Sequence, residues 1–212
     1  HDIDYCCGGK KQLKEAVSNS DISLNEITKL LEEQLAKNDF EHKDPQFTDS
    51  FQSIIEHLVL EYHEPTKALL EQVIQQSQKV AKVHGHKDER LIKLSEKILE
   101  IANELMPHME KEEKVLFPYL LQLDQAESIP EMHCGTVRNP IMVMEREHDL
   151  AGHLLAQAKD LANNFIAAEG ACNTHQVLLK NLKTLVKETH KHIHIENNIL
   201  FPKTIDWLVR HN

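Results

Sequence analysis

From residue 50 onward the apolar positions recur at three- and four-residue intervals, the spacing of one face of an α-helix. Over 50–83 the set is Ile54, Ile55, Leu58, Leu60, Leu69, Leu70, Val73 and Ile74, and Gly85 marks the end. A second run covers 88–122. The turn-rich segment 124–139 separates it from a third run, which has Asn139 as its predicted cap and Pro140 as its first helical residue, and which reaches about 167. The break AEGACN follows. Asn173 and Gln176 open a fourth run to Leu200 or beyond. Four such helices with short to moderate links predict an all-α, up-down four-helix bundle over 50–212. Pro65 and Pro107 fall inside the first and second runs, where each removes a backbone bond and predicts a kink. The alternative for the second run is two helices meeting near Pro107.

Residues 1–40 form a separate, smaller unit, set off by the polar stretch 38–50 with Pro45. It holds DYCCGGK (4–10), a short helix from Lys11 and a second helix from Leu24, opened by a capping box of Ser23 and Glu26. So few residues make little core, so this unit is expected to dock or to stay mobile. The chain starts with His rather than Met, which suggests that its natural N-terminus lies upstream.

Composition narrows the function. Six Gly and seven Pro in 212 residues are too few for a sandwich or barrel. No run approaches the ~18 apolar residues of a membrane span. A net charge of −10 argues against nucleic acid or an anionic membrane as the main partner. Four Cys are too few for a disulfide scaffold and fit a reducing, cytosolic setting. Fifteen His, by contrast, call for an explanation.

The explanation is a repeat. His108 is followed by Glu112 at +4 and by Leu116-Phe117-Pro118; His192 is followed by Glu196 and Leu200-Phe201-Pro202 at the same offsets. Glu104 and Glu188 both lie four residues before. His63 and His148 are each followed by an acid at +1 and a Leu-Leu pair at +6 and +7. Residues four apart share a helix face. Each HxxxE pair therefore presents an imidazole and a carboxylate to one side, and His63 and His148 add one imidazole from each remaining helix.

Six unpaired polar side chains inside a bundle would cost several kcal/mol each. A metal satisfies all six. Four His and two Glu suit Fe, Mn or Zn, as two ions with two His each and both Glu bridging. A solvent oxo or hydroxo bridge completes such a pair and leaves a position open for O2, NO or peroxide. Structural zinc would use a closed four-ligand set. The ferritin-like Glu-x-x-His pattern is met once, by Glu145 and His148, where it is needed twice.

DYCCGGK (4–10), Tyr62-His63, HMEKEEKVLFP (108–118), MEREHD (144–149) and HIHIENNILFP (192–202) together resemble the repair-of-iron-centres family, bacterial di-iron proteins for repair of iron–sulfur clusters. The resemblance covers nearly the whole chain. It implies a hemerythrin-like bundle with a small helical N-terminal domain, of which some twenty residues before DYCC are missing here. It implies a non-haem di-iron centre, a cytoplasmic location, and a role in recovery from nitrosative and oxidative stress. The family's ligands map onto His63, His108, Glu112, His148, His192 and Glu196, the six that spacing selects. The expected partners are damaged iron–sulfur proteins, with NO, O2 or peroxide as small ligands, and a homodimer is possible. Two other readings stay open: an NO reductase or scavenger, and an O2- or NO-sensing binding protein.

Outside the six, Glu104 and Glu147 are candidate outer groups or an iron path. Cys6 and Cys7 are candidate redox thiols, with Lys10 and Lys11 nearby. Cys134 and Cys172 are expected to be unpaired. His57 reads as an ordinary helix pair with Glu61, and His190 and His194 as a solvated face. The LFP triplets read as core packing followed by a helix stop. Free imidazole chemistry predicts metal affinity falling below pH ~6.5.

Overall fold

A computed structural model describes residues 12–18, 22–36, 44–132 and 135–211. The Cys6 and Cys7 motif and Cys134 lie outside the described residues. No strand occurs among the described residues, and none of their helices is long and apolar enough to cross a membrane.

The N-terminal unit contains α1 (Leu13–Ala16) and α2 (Leu24–Ala36). The capping box forms as its sequence requires: Ser23 N–H donates to Glu26 Oε2 at 3.0 Å, and Glu26 N–H donates to Ser23 Oγ at 3.3 Å. Val17, Ile22 and Ile27 make a small cluster of their own.

The bundle consists of four rods. The first joins α3 (Phe51–Leu58) to α4 (Glu64–His84) through a π-helical turn, Val59–His63. The second joins α5 (Arg90–Lys111) to α6 (Phe117–Leu123) through the π turn Glu112–Leu116. The third is α7 (Arg138–Leu161). The fourth joins α8 (Asn173–Ile195) to α9 (Phe201–Arg210) through the π turn Glu196–Leu200. α5 touches α4 and α7, and α8 touches the same two, which closes the ring. The start of the first rod is tied down twice. Ser50 accepts from Ser53 N–H, and Asp124 accepts from the N–H groups of Phe51 and Gln52 at 3.0 and 2.9 Å.

Several boundaries differ from the sequence expectation. Pro107 sits inside a continuous α5, so the second rod is not split there. Pro65, Pro118 and Pro202 each lie two residues beyond a π turn, and the rods run on through them. The LFP triplets are therefore core packing without a helix stop. Proline has no N–H to place where the bonding register changes from i−5 back to i−4, and the wide turn relieves its ring clash. The third helix starts at Arg138, whose N–H reaches Thr136 Oγ1, so Asn139 lies inside the first turn and does not cap it. That helix ends at Leu161, short of 167. Asn163, Asn164 and Phe165 take φ of 50, 53 and 64°, a left-handed turn that asparagine tolerates better than most residues.

Gly85 does end its helix, but with φ −60° rather than in the left-handed region. Its role is space: a Cβ there would meet the Ala81 carbonyl oxygen at 2.4 Å and Ile92 Cγ1 at 2.7 Å. Gly85→Ala should destabilise the fold by about 1–3 kcal/mol through overpacking. Urea unfolding with an unchanged midpoint would contradict that.

The apolar interior falls into two clusters. One, around Leu70, Ile98, Leu105, Leu155 and Leu182, fills the end built by α4, α5, α7 and α8. The other, around Phe51, Leu58, Phe117, Met144 and Phe201, fills the end that includes α3, α6 and α9. The π turns lie between them, and so do the six polar residues.

Candidate metal centre

Each of the six is delivered by a rod at this level. His63 is the last residue of the first π turn, and Glu112 and Glu196 open the second and third. His108 and His192 precede those carboxylates by one turn, and His148 comes from the middle of α7. All six are at most 3% exposed.

The imidazoles converge in pairs. His63 Nε2 lies 3.0 Å from His192 Nε2, and His108 Nε2 lies 3.0 Å from His148 Nε2. Glu112 reaches both pairs: Oε2 is 3.5 Å from His63 Nε2, and Oε1 is 3.4 Å from His108 Nε2. Glu196 does the same, with Oε1 2.9 Å from His192 Nε2 and Oε2 3.1 Å from His148 Nε2. Two four-residue groups result, His63–Glu112–His192–Glu196 and His108–Glu112–His148–Glu196, and each offers ligand atoms all within 4.8 Å of one another.

This arrangement fits a metal better than it fits itself. Both oxygens of Glu112 and Oε2 of Glu196 are buried without a hydrogen-bond partner. In each imidazole pair two nitrogens face each other across one hydrogen bond, so only one can donate. A cation at each pair would satisfy every one of these atoms.

The far nitrogens of the rings are held from outside. His63 Nδ1 meets Glu113 Oε1 at 2.7 Å, and Lys67 bonds the same carboxylate at 2.8 and 3.0 Å. His108 Nδ1 meets Glu147 Oε2 at 2.9 Å, and Lys111 holds that carboxylate. His148 Nδ1 meets Asn197 Oδ1 at 2.9 Å. Such partners fix ring orientation and raise ligand basicity. Phe117 and Phe201 stack on His63 and His148, with centroids 5.5 and 5.9 Å apart.

The hemerythrin HHE cation-binding domain matches residues 54–204, and a domain of unknown function (DUF542) matches residues 1–35. The chain is 34% identical over 203 residues to the iron-sulfur cluster repair protein YtfE of Pectobacterium atrosepticum, covering 96% of this chain and 87% of that one. It is 33% identical over 209 residues to YtfE of Escherichia coli O81, covering 97% and 88%. A probable iron-sulfur cluster repair protein of Haemophilus influenzae is 32% identical over 207 residues, again covering 97% and 88%. This chain belongs to the iron–sulfur cluster repair family.

In this family member Glu147 stands where an outer group was expected. Glu104 is exposed, and no hydrogen bond among the described residues joins it to the six. Spacing did not single out Glu113 and Asn197, although the repeat contains the signal: each directly follows a carboxylate of the six. His57 is partly buried against Tyr62 and lies 3.8 Å from Asp44, so its neighbour is not Glu61. His190 and His194 are half-buried rather than solvated, and His194 Nδ1 meets Asn198 Nδ2. Cys172 is a free thiol, 3.3 Å from His84 Nε2.

Burial, then the neighbouring His192 ring, lowers His63 to about 4, and burial with His148 lowers His108 to about 4. Burial and the adjacent Glu196 drive Glu112 well above the carboxylate range. Burial pushes Glu196 the same way, but His192 and His148 outweigh it and draw that carboxyl well below the usual range.

For His63 and His108 these shifts move the expected acid limit. Inside the fold, His63 and His108 stay neutral and able to ligate down to about 4, not ~6.5. The burden falls on folding instead. Between pH ~6.5 and ~4 the unfolded chain takes up protons that the folded chain refuses, so the metal-free fold loses stability as pH falls. The loss should approach about 3 kcal/mol per histidine by pH ~4. Thermal melting of metal-free protein from pH 7 to 4 measures it; a flat profile would mean that the rings are not held neutral.

Proposed function

We propose that this protein repairs iron–sulfur clusters damaged by nitrosative or oxidative stress, supplying iron from two non-haem ions held between its rods. The observation that carries the reading is the buried six-residue cluster, with its orphaned carboxylate oxygens, in a chain 34% identical to a YtfE repair protein over nearly its whole length. In this reading His63 and His192 would hold one ion and His108 and His148 the other, with Glu112 and Glu196 within reach of both. When bound, ferrous ions there supply exchangeable iron and an open position for NO or peroxide.

The chain's own residues do the rest. Glu113, Glu147 and Asn197 keep the His63, His108 and His148 imidazoles aimed inward. Phe117, Phe201 and the two apolar clusters keep bulk water out. The clients are damaged iron–sulfur proteins, and the reading places the protein with them in the cytoplasm.

Protein purified without oxygen from iron-replete cells should carry about two Fe per chain by mass spectrometry. It should restore an NO-treated iron–sulfur enzyme, whereas chelator-stripped protein should not. Equal restoration by the stripped protein would sink the iron-centred reading.

A further inference from the structure

The two halves of the cluster are built by one repeat, but the outer bonds do not repeat. Glu113 supports His63, and its counterpart Asn197 supports His148. Glu147, directly before His148, supports His108. The counterpart of Glu147 is the residue directly before His63, and its target is His192. That residue is Tyr62. Its ring lies along the His192 ring with centroids 6.2 Å apart and planes 18° from parallel, and its hydroxyl donates instead to Asp44 Oδ1 at 3.3 Å. Among the described residues no acceptor meets His192 Nδ1; its polar contacts, to His63, Glu196 and Glu112, are all made through Nε2.

We infer that the two metal positions are unequal, and that the one built on His63 and His192 is the weaker, iron-yielding position. Both imidazoles of the His108–His148 position are aimed by an outer acceptor, one carboxylate and one amide. At the other position only His63 is. An outer partner of this kind is worth about 10–100-fold in metal affinity. The surroundings also suit release on that side. Beyond His192 lie Tyr62, His57 and then Asp44, whose side chain is 64% exposed. Lys111 closes the Glu147 carboxylate behind His108 as Lys67 closes Glu113 behind His63, so the difference lies on the His192 side alone.

The inference rests on the two-iron reading, and one experiment separates them. Ferrous-loaded protein is titrated anaerobically with a chromophoric ferrous chelator. Two Fe per chain should come off in two steps, one Fe each, separated by about 10–100-fold in affinity. Tyr62→Gln supplies an acceptor at the Glu147 counterpart without adding charge beside Asp44, and should tighten only the weaker step. Glu147→Ala removes the existing support and should weaken only the tighter step, merging the two. If Tyr62→Gln does not fold, Glu147→Ala alone decides, since an effect on the weaker step would assign the positions the wrong way round. Two Fe leaving in a single step from the unaltered protein would overturn the inequality and leave the two-iron reading standing. A chain that binds fewer than two Fe would overturn both.

Discussion

Glu112→Ala should empty the cluster of both ions, not one. Fe per chain should fall from about two to near zero. The reason is position: one carboxylate stands 3.5 Å from the His63 nitrogen and 3.4 Å from the His108 nitrogen, so both four-residue groups lose a member together. His108→Ala touches one group only and should leave about one Fe. The Glu112 variant should not unfold the protein. It removes a fully buried carboxyl that burial and Glu196 already push toward the protonated state. Circular dichroism and metal analysis on the same sample check both halves. A variant that retains one Fe would show that the two positions do not share this ligand.

Metal removal is the second large effect, and it acts on stability. Six buried polar groups separate the two apolar clusters, so the metal-free chain carries unsatisfied atoms at the centre of the bundle. A cation that binds only the folded chain adds about 4 kcal/mol at ~1,000 times its Kd. In a domain of this size that is on the order of 10 °C in Tm. The stripped protein should stay folded, because the two apolar clusters on either side persist without metal. It should therefore melt cooperatively, roughly 10 °C below the ferrous form, in anaerobic calorimetry. Equal melting temperatures, with metal content verified in both samples, would mean that the cluster does not bind metal in the folded state.

The periodic apolar positions mark four rods; the two HxxxE pairs mark four inward residues, and the repeated His-acid with Leu-Leu at +6 and +7 marks His63 and His148. Both rest on local geometry: residues four apart share a face whatever surrounds them. The π turns were less legible, though the signal was there. Three rods carry a proline two residues past the turn, at Pro65, Pro118 and Pro202, while α7 has Leu150 at the matching position and runs through as α-helix. By sequence alone those prolines read as kinks or stops, because a helix of one register cannot absorb them; a change of register can.

The sequence by itself determined the helix faces, the pairing of imidazole with carboxylate, and the two-fold repeat, since each follows from spacing along one chain. Only the tertiary structure decided which imidazoles meet, which outer acceptor holds each ring, and that His192 has Tyr62 beside it where the repeat would place a carboxylate. Those contacts join residues 39 to 130 positions apart. They depend on how one rod is rotated and shifted against another, which the packing of two apolar clusters fixes and no local spacing encodes.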